Sequence, residues 1–153
     1  MVQVRVVRST FSGRDMEGDF SWMIEQPQYA RALFVFNDNE TQFRAFHAGK
    51  REGLSAGGGN AAIRPYQGHS PQRAAGIPTG DHGEGGYIAL SPHVKNVIDQ
   101  AVAHIATLLR TGDYDQLIFS YDATKQTLGT GIFEVAREVT DYIMNAMLAF
   151  ESH

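Results

Sequence analysis

The segment Ala32-Leu33-Phe34-Val35-Phe36, followed directly by Asn37-Asp38-Asn39, is the part of the sequence that decides the fold. A short continuous apolar run that stops at polar residues is typical of a buried central strand ending in a polar loop. A second run of this kind, Gln116-Leu117-Ile118-Phe119-Ser120-Tyr121, ends at Asp122. The two runs therefore predict two buried strands, each with a polar loop at its carboxyl end.

Two long helices are predicted from apolar residues at helical spacing. The first begins at Ser91-Pro92, because serine is a favoured N-cap and proline suits the first helical position, and it ends at Gly112. Its apolar stripe is Val94, Val97, Ile98, Ala101, Val102, Ile105, Leu108 and Leu109. The second helix lies at the C-terminus, with the stripe Val135, Val139, Tyr142, Ile143, Ala146, Met147 and Phe150. Both stripes recur at intervals of three and four residues, which predicts amphipathic helices.

Weaker patterns complete the chain. They predict a strand over residues 2–9, a short helix at Pro27, a short helix from Gly58 or Gly59 to Arg64, and a strand over residues 87–90. The prolines and glycines between the last two elements predict ordered loops. Strands that alternate with helices indicate the α/β class. We therefore predict one domain over residues 1–153, with a mixed sheet flanked by helices.

Composition narrows the classes of function. The chain has 153 residues, of which 42% are hydrophobic and 20% charged, as in an ordinary globular domain. Its net charge of -4 makes a nucleic-acid partner an unfavoured expectation. The absence of cysteine excludes disulfides and cysteine catalysis. Because the sequence has neither a membrane-spanning apolar run nor the apolar core of a signal peptide, we expect a cytoplasmic protein without a membrane partner.

Two glycine-rich segments suggest a ligand site. The first is Gly57-Gly58-Gly59-Asn60-Ala61-Ala62-Ile63, and the second is Leu128-Gly129-Thr130-Gly131-Ile132-Phe133 ahead of the C-terminal helical pattern. A glycine loop that opens a helix directs free N–H groups and the positive end of the helix dipole at one point, which makes an anion site. In α/β sheets ligands bind beyond the carboxyl ends of the strands, so both loops are expected at one edge.

The order of these parts resembles a macrodomain, the fold that binds ADP-ribose. The matching pieces are Phe34-Val35-Phe36-Asn37-Asp38-Asn39, the triple-glycine segment and Leu128-Gly129-Thr130-Gly131-Ile132-Phe133. Here Asn37-Asp38-Asn39 replaces the Asn-Ala-Ala-Asn usual in that family. Asn60 and Ala61 stand where the family often has an acidic residue. The spacing between the strand and the triple glycine is also longer than usual.

The resemblance implies a role for each part of the site. Gly129, Thr130, Gly131 and Ile132 are expected to wrap the diphosphate of ADP-ribose or a related nucleotide, with Phe133 near the distal ribose. The other side of that ribose is expected to meet Asn39 together with Gly57, Gly58, Gly59 and Asn60. The protein is then a reader or a hydrolase of an ADP-ribose linkage. In a hydrolase, Asn39 and Asp38 are the candidate catalytic residues that position a water molecule.

An alternative keeps the glycine loops purely structural. The protein is then a non-enzymatic interaction or scaffold protein, and oligomerisation or a protein partner carries its function. Turn capping explains the presence of Asp38 and Asp122 at the ends of these strands as well as a functional role does. Arg64 and Arg73 are placed to meet a phosphate, although solvated surface positions are the default expectation for both.

Other candidate groups lack a supporting pattern. Ser120 is not expected to be a nucleophile, because no Gly-x-Ser-x-Gly motif surrounds it. The polar residues Asp81, His82, Glu84 and His93 lack a recognised ligand spacing and indicate a solvated loop. Accordingly, no metal and no cofactor are predicted.

Overall fold

A computed structural model describes residues 4–81 and 83–151. The strands are β1 (Arg5–Ser9), β2 (Ala32–Asn39), β3 (Ala74–Asp81), β4 (Gly85–Gly86), β5 (Gln116–Asp122) and β6 (Thr127–Leu128). The α-helices are α1 (Phe20–Met23), α2 (Glu40–His47), α3 (Pro92–Thr111) and α4 (Arg137–Leu148). The 3-10 helices are Pro27–Tyr29, Arg51–Leu54 and Gly59–Gly68.

The strands form one mixed sheet in the order β1-β5-β2-β3-β4, with β6 paired to the end of β5. β1, β5, β2 and β3 pair in parallel, while β4 and β6 run antiparallel to their neighbours. The carboxyl ends of the four parallel strands therefore lie at one edge of the sheet, which we call the rim. The predicted α/β class and single-domain mixed sheet are confirmed.

Side chains of β2 alternate between the two faces of the sheet, as the period of a strand requires. Leu33 and Val35 pack into one core with residues of α3 and α4. Phe34 and Phe36 pack into a second core with α1 and the 3-10 helix Gly59–Gly68. Burial on both faces explains why β2 is a continuous apolar run in the sequence.

The two long helices were predicted correctly. The side chain of Ser91 accepts a hydrogen bond from Val94 N–H as the N-cap of α3, and Gly112 follows the last residue of that helix. The strand predicted over residues 2–9 is β1, although Val2 and Gln3 lie outside the described residues. The short helices at Pro27 and Gly59 are both 3-10 helices, and the second continues through Pro65 to Gly68.

The prediction of loops in the middle of the chain is wrong, because β3 is a buried eight-residue strand. Small residues are required there: a Cβ atom at Gly76 would lie 2.6 Å from Asp38 Oδ2, and one at Gly80 would lie 2.2 Å from the carbonyl oxygen of Gly85. Pro78 is tolerated because β4 pairs only with Gly80 and Asp81, so no ladder bond on that side needs its missing N–H.

Three further expectations at the rim need correction. Residues 37–39 are not a loop, since β2 continues to Asn39 and α2 begins at the next residue. The strand predicted over residues 87–90 is wrong, because those residues form no strand; β4 covers only the two residues before them, Gly85–Gly86, and the side chain of Ile88 is 91% exposed. The second glycine segment does not open a helix directly, because α4 begins only at Arg137.

The stripe of α4 packs on the sheet, with Val139, Ile143 and Met147 fully buried in the first core. We therefore expect Ile143→Ala to lower the free energy of unfolding by about 2–5 kcal/mol, the usual cost of truncating a buried isoleucine. Ile132→Ala is the matched control, because Ile132 is 94% exposed and its truncation should leave stability unchanged. Urea unfolding measures both variants. If light scattering instead finds a changed mass for an Ile143→Ala protein of unchanged stability, the stripe covers a subunit interface.

Candidate functional site

The rim gathers the N-terminal ends of three helices. α2 starts directly after β2, and its Glu40 carboxylate contacts His93 in the first turn of α3 at 2.9 Å. The segment before α4 reaches the same region, since Ala136 N–H donates to the carbonyl oxygen of Tyr87. Helix N-termini carry partial positive charge, which favours anions close to them.

Ser120, near the end of β5, joins the two glycine segments. Asn60 Nδ2 donates to Ser120 Oγ at 3.1 Å, and Gly129 N–H donates to the Ser120 carbonyl oxygen at 2.9 Å. From the neighbouring strand, Asn37 Nδ2 donates to the Gly129 carbonyl oxygen at 2.7 Å. The structure therefore brings both predicted loops to the ends of β5 and β2, where both hydrogen-bond to one serine.

Glycine loop 1 (residues 57–60) is a tight turn that leads into the 3-10 helix Gly59–Gly68. Gly57 N–H donates to the Ala61 carbonyl oxygen, and Ala61 N–H donates back to the Gly58 carbonyl oxygen. Gly59 has a φ of +55°, in the region that favours glycine. The N–H groups of Gly58, Gly59 and Asn60 donate to no other residue in the described part of the chain.

Glycine loop 2 (residues 129–133) is closed by a pair of hydrogen bonds. Thr130 Oγ1 donates to the Phe133 carbonyl oxygen at 2.8 Å, and Phe133 N–H donates to the Thr130 carbonyl oxygen. Between them Gly131 has a φ of +63°. Within residues 4–81 and 83–151, no acceptor is found for the N–H groups of Thr130, Gly131 and Ile132. The side chains of Ile132 and Phe133 are 94% and 63% exposed.

Asp38 lies under loop 1 in a buried ion pair. Its carboxylate accepts a hydrogen bond from Arg64 Nη2 at 2.7 Å, and the two side chains are 1% and 6% exposed. Burial raises the pKa of Asp38, and the charge and hydrogen bond of Arg64 oppose that rise. Asp38 therefore has no open path to a ligand on the rim, which argues for a structural role.

Both arginines depart from the expected surface positions. Arg64 is the buried partner of Asp38. Arg73 Nη2 donates to the carbonyl oxygen of Tyr29 at 2.7 Å, and Arg73 Nε donates to that of Ala32 at 3.3 Å. Because Ala32 is the first residue of β2, Arg73 lies at the opposite edge of the sheet and cannot meet a phosphate at the rim.

Asn39 is the N-cap of α2, with its Oδ1 accepting a hydrogen bond from Gln42 N–H at 2.8 Å. Its side chain also lines a half-open groove of about 610 Å³ along α2, together with Gln42, Arg44 and Lys50. Capping occupies the amide oxygen only, so Asn39 Nδ2 can still donate to a ligand. Asp122 caps a turn, since its Oδ1 accepts hydrogen bonds from the N–H groups of Thr124 and Lys125.

A second polar cluster on the rim surrounds Glu40. Its carboxylate accepts hydrogen bonds from Tyr87 Oη at 2.7 Å and from Arg44 Nε at 3.0 Å, and His93 Nε2 lies 2.9 Å away. Burial alone would raise the pKa of Glu40, but hydrogen bonds from Tyr87, His93 and Arg44 outweigh it and hold the pKa below its ordinary value. The cluster ties the start of α2 to the start of α3.

Sequence reasoning missed Glu40, Tyr87 and Ser120 as parts of the rim. One signal was available for Glu40, because Asn39-Glu40 is a favoured N-cap followed by an acidic residue in the first helical turn. Nothing local marks Tyr87 or Ser120, since their partners are distant in the sequence.

Fold and site together define an α/β domain with two glycine loops and three helix N-termini at one edge of its sheet. Comparisons with protein-family models, with curated proteins and with solved structures find no match to this chain. No cluster of three or more potential metal ligands occurs within residues 4–81 and 83–151. Over the same residues, no helix has the length and apolar character needed to cross a membrane.

The Glu40 cluster predicts an acid-sensitive contribution to stability. Because the pKa of Glu40 is lowered in the folded protein, its carboxylate stabilises the fold above its ordinary pKa, and this stabilisation is lost as the pH falls through the lowered value. We expect Glu40→Gln to reduce the free energy of unfolding by about 1 kcal/mol near neutral pH and to flatten its decline in acid. Urea unfolding, measured from neutral pH down through the lowered pKa of Glu40, tests this expectation. The exposed Glu52→Gln is the control, and equal profiles for the two variants would contradict the assignment.

Proposed function

We propose that this protein binds ADP-ribose or a related nucleotide diphosphate at the rim, in the manner of a macrodomain. One observation carries the proposal: two runs of three N–H groups that have no acceptor in the described chain, at residues 58–60 and 130–132, belong to loops that both hydrogen-bond to Ser120. Successive N–H groups in glycine turns form concave sites for anions. Two such sites in one place suit a ligand that has two polar or anionic parts.

The surroundings of each loop support a diphosphate at loop 2 and the distal ribose at loop 1. Loop 2 combines N–H donors with the exposed side chains of Ile132 and Phe133, so it suits a diphosphate flanked by an apolar ring face. Loop 1 combines N–H donors with open space, because no atom lies within 4 Å of a Cβ built on Gly58 or Gly59. It therefore suits the distal ribose and its hydroxyl groups.

Reading and hydrolysis of an ADP-ribose linkage differ in the need for an activated water. Among the two catalytic candidates, Asn39 retains a free Nδ2 at the rim, whereas Asp38 is buried against Arg64. A hydrolase would therefore use Asn39 rather than Asp38 to position the water. Without that step the same site serves a reader.

A second candidate function, a protein-interaction module, is favoured by one observation. Ile88, Ile132 and Phe133 are large apolar side chains with exposures of 91%, 94% and 63%. Their segments are joined, since Ala136 N–H donates to the Tyr87 carbonyl oxygen next to Ile88. Exposed apolar groups of this kind also occur at contacts between proteins.

Gly131→Glu tests the ligand site. It places bulk and negative charge where the diphosphate is expected, so calorimetric binding of ADP-ribose should be lost. Gly49→Glu is a matched control, because Gly49 has a similar φ of +73°, is equally open, and follows the far end of α2. Both substitutions carry the same backbone strain and charge. Unchanged affinity in a folded Gly131→Glu protein would refute the proposed site.

Two substitutions of Asn39 separate reading from hydrolysis. Asn39→Ser keeps an N-cap and removes the amide, whereas Asn39→Ala removes both and should cost about 0.5–2 kcal/mol of stability. If Asn39 positions a water, both variants should lose turnover of an ADP-ribosylated protein while Asn39→Ser keeps its melting temperature. Full turnover in Asn39→Ser would remove the amide from the mechanism. Absence of turnover in the wild type, with ADP-ribose bound, would identify a reader.

A further inference from the structure

The buried pair of Asp38 and Arg64 is short of hydrogen-bond partners. Asp38 Oδ2 and Arg64 Nε are both buried and accept or donate no hydrogen bond within the described chain. Burying two charges is costly, and the cost is recovered only when geometry and additional hydrogen bonds are good. Replacing a buried ion pair by apolar side chains of similar size is often neutral or stabilising, so the need for stability does not by itself explain the pair.

Several groups hold the Arg64 guanidinium in one place. Asp38 accepts a hydrogen bond from Arg64 Nη2 at 2.7 Å, and Arg64 Cζ lies 5.8 Å from the centre of the Phe36 ring. The carboxylate is itself held, because Asp38 Oδ1 also accepts a hydrogen bond from Asn39 N–H at 2.8 Å. Gly76 leaves the space that Asp38 Oδ2 occupies.

The remaining contacts of Arg64 are with the chain that forms loop 1. Arg64 Nη1 donates to the Ser55 carbonyl oxygen at 2.9 Å. A Cβ atom built on Gly57 would lie 2.8 Å from Nη1 and 3.2 Å from Nη2, so the guanidinium packs directly against the backbone of Gly57. Because Gly57 has no side chain, the backbone of loop 1 can pack directly against the buried Arg64 guanidinium.

We propose that Arg64 is the positioning residue of glycine loop 1 and that Asp38 acts through it. The buried pair sets where the N–H groups of Gly58, Gly59 and Asn60 point, and thereby how tightly the loop holds the distal ribose of the ligand. This inference rests on the proposed function for the identity of the ligand only. Arg64 does not contact the ligand, because its side chain is 6% exposed.

A pair of glycine substitutions tests the proposal with little risk to folding. Gly57→Ala adds a methyl group 2.8 Å from Arg64 Nη1 and 3.1 Å from Ala61 Cβ, whereas Gly58→Ala adds the same group where no atom lies within 4 Å and where φ is -83°. We expect Gly57→Ala to speed amide hydrogen exchange at Ala61, whose N–H donates to the Gly58 carbonyl oxygen, and to weaken ADP-ribose binding about tenfold, the effect of one charged hydrogen bond. Gly58→Ala should leave the exchange at Ala61 unchanged.

Comparison with ADP separates positioning from general destabilisation. ADP has the diphosphate expected at loop 2 but lacks the distal ribose expected at loop 1, so Gly57→Ala should leave ADP affinity unchanged. An equal loss for both ligands would indicate a merely structural effect and overturn the proposal. If the wild type binds neither ligand, the proposed function fails, and the exchange rate at Ala61 still decides whether Arg64 positions the loop.

The double substitution Asp38→Val with Arg64→Met provides the second test. Replacing a buried ion pair by apolar residues often leaves stability unchanged or raised, so this protein is expected to fold. Its hydrogen-bonded amides at Gly57 and Ala61 should exchange faster, and its ADP-ribose affinity should fall about tenfold with ADP affinity retained. A folded double variant with wild-type exchange at these amides would refute the positioning role.

Discussion

The parallel pairing of β2 with β5 on one side and with β3 on the other sets where every candidate functional group lies. Parallel strands end at the same edge of a sheet, so the chain must return to the opposite edge before each new strand begins. The connections therefore begin at the rim, and they include α2, glycine loop 1 and glycine loop 2. Ser120 and Asn37, on neighbouring strands, then join the loops through hydrogen bonds.

The donors that remain available at the rim are backbone N–H groups, because the carboxylates there already accept hydrogen bonds. Asp38 is paired with Arg64, Glu40 is held by Tyr87 and Arg44, and Asp122 caps a turn. These carboxylates are already engaged, whereas the N–H groups of both glycine loops have no acceptor in the described chain. Backbone donors without an acceptor in the described chain therefore lie at one edge of an acidic protein, which supports the anion site proposed there.

Elements with regular periodicity could be predicted, and elements built from small residues could not. α3 and α4 show apolar stripes, and β2 and β5 show continuous apolar runs, because each buries a whole face or both faces. β3 reads as a loop, since Gly76, Pro78 and Gly80 are typical of turns when taken alone. β3 needs these glycines because the Asp38 carboxylate and the Gly85 carbonyl oxygen occupy the space where side chains would lie.

The sequence by itself determined the α/β class, the two long helices with the Ser91 cap, and the two glycine segments, because each depends on residues close together in the chain. Only the tertiary structure decided that Asp38 is buried against Arg64, that Ser120 joins the two loops, and that Glu40 meets His93 and Tyr87. These contacts join residues between 26 and 60 positions apart. No local pattern encodes them, since they arise when parallel pairing brings distant segments to one edge.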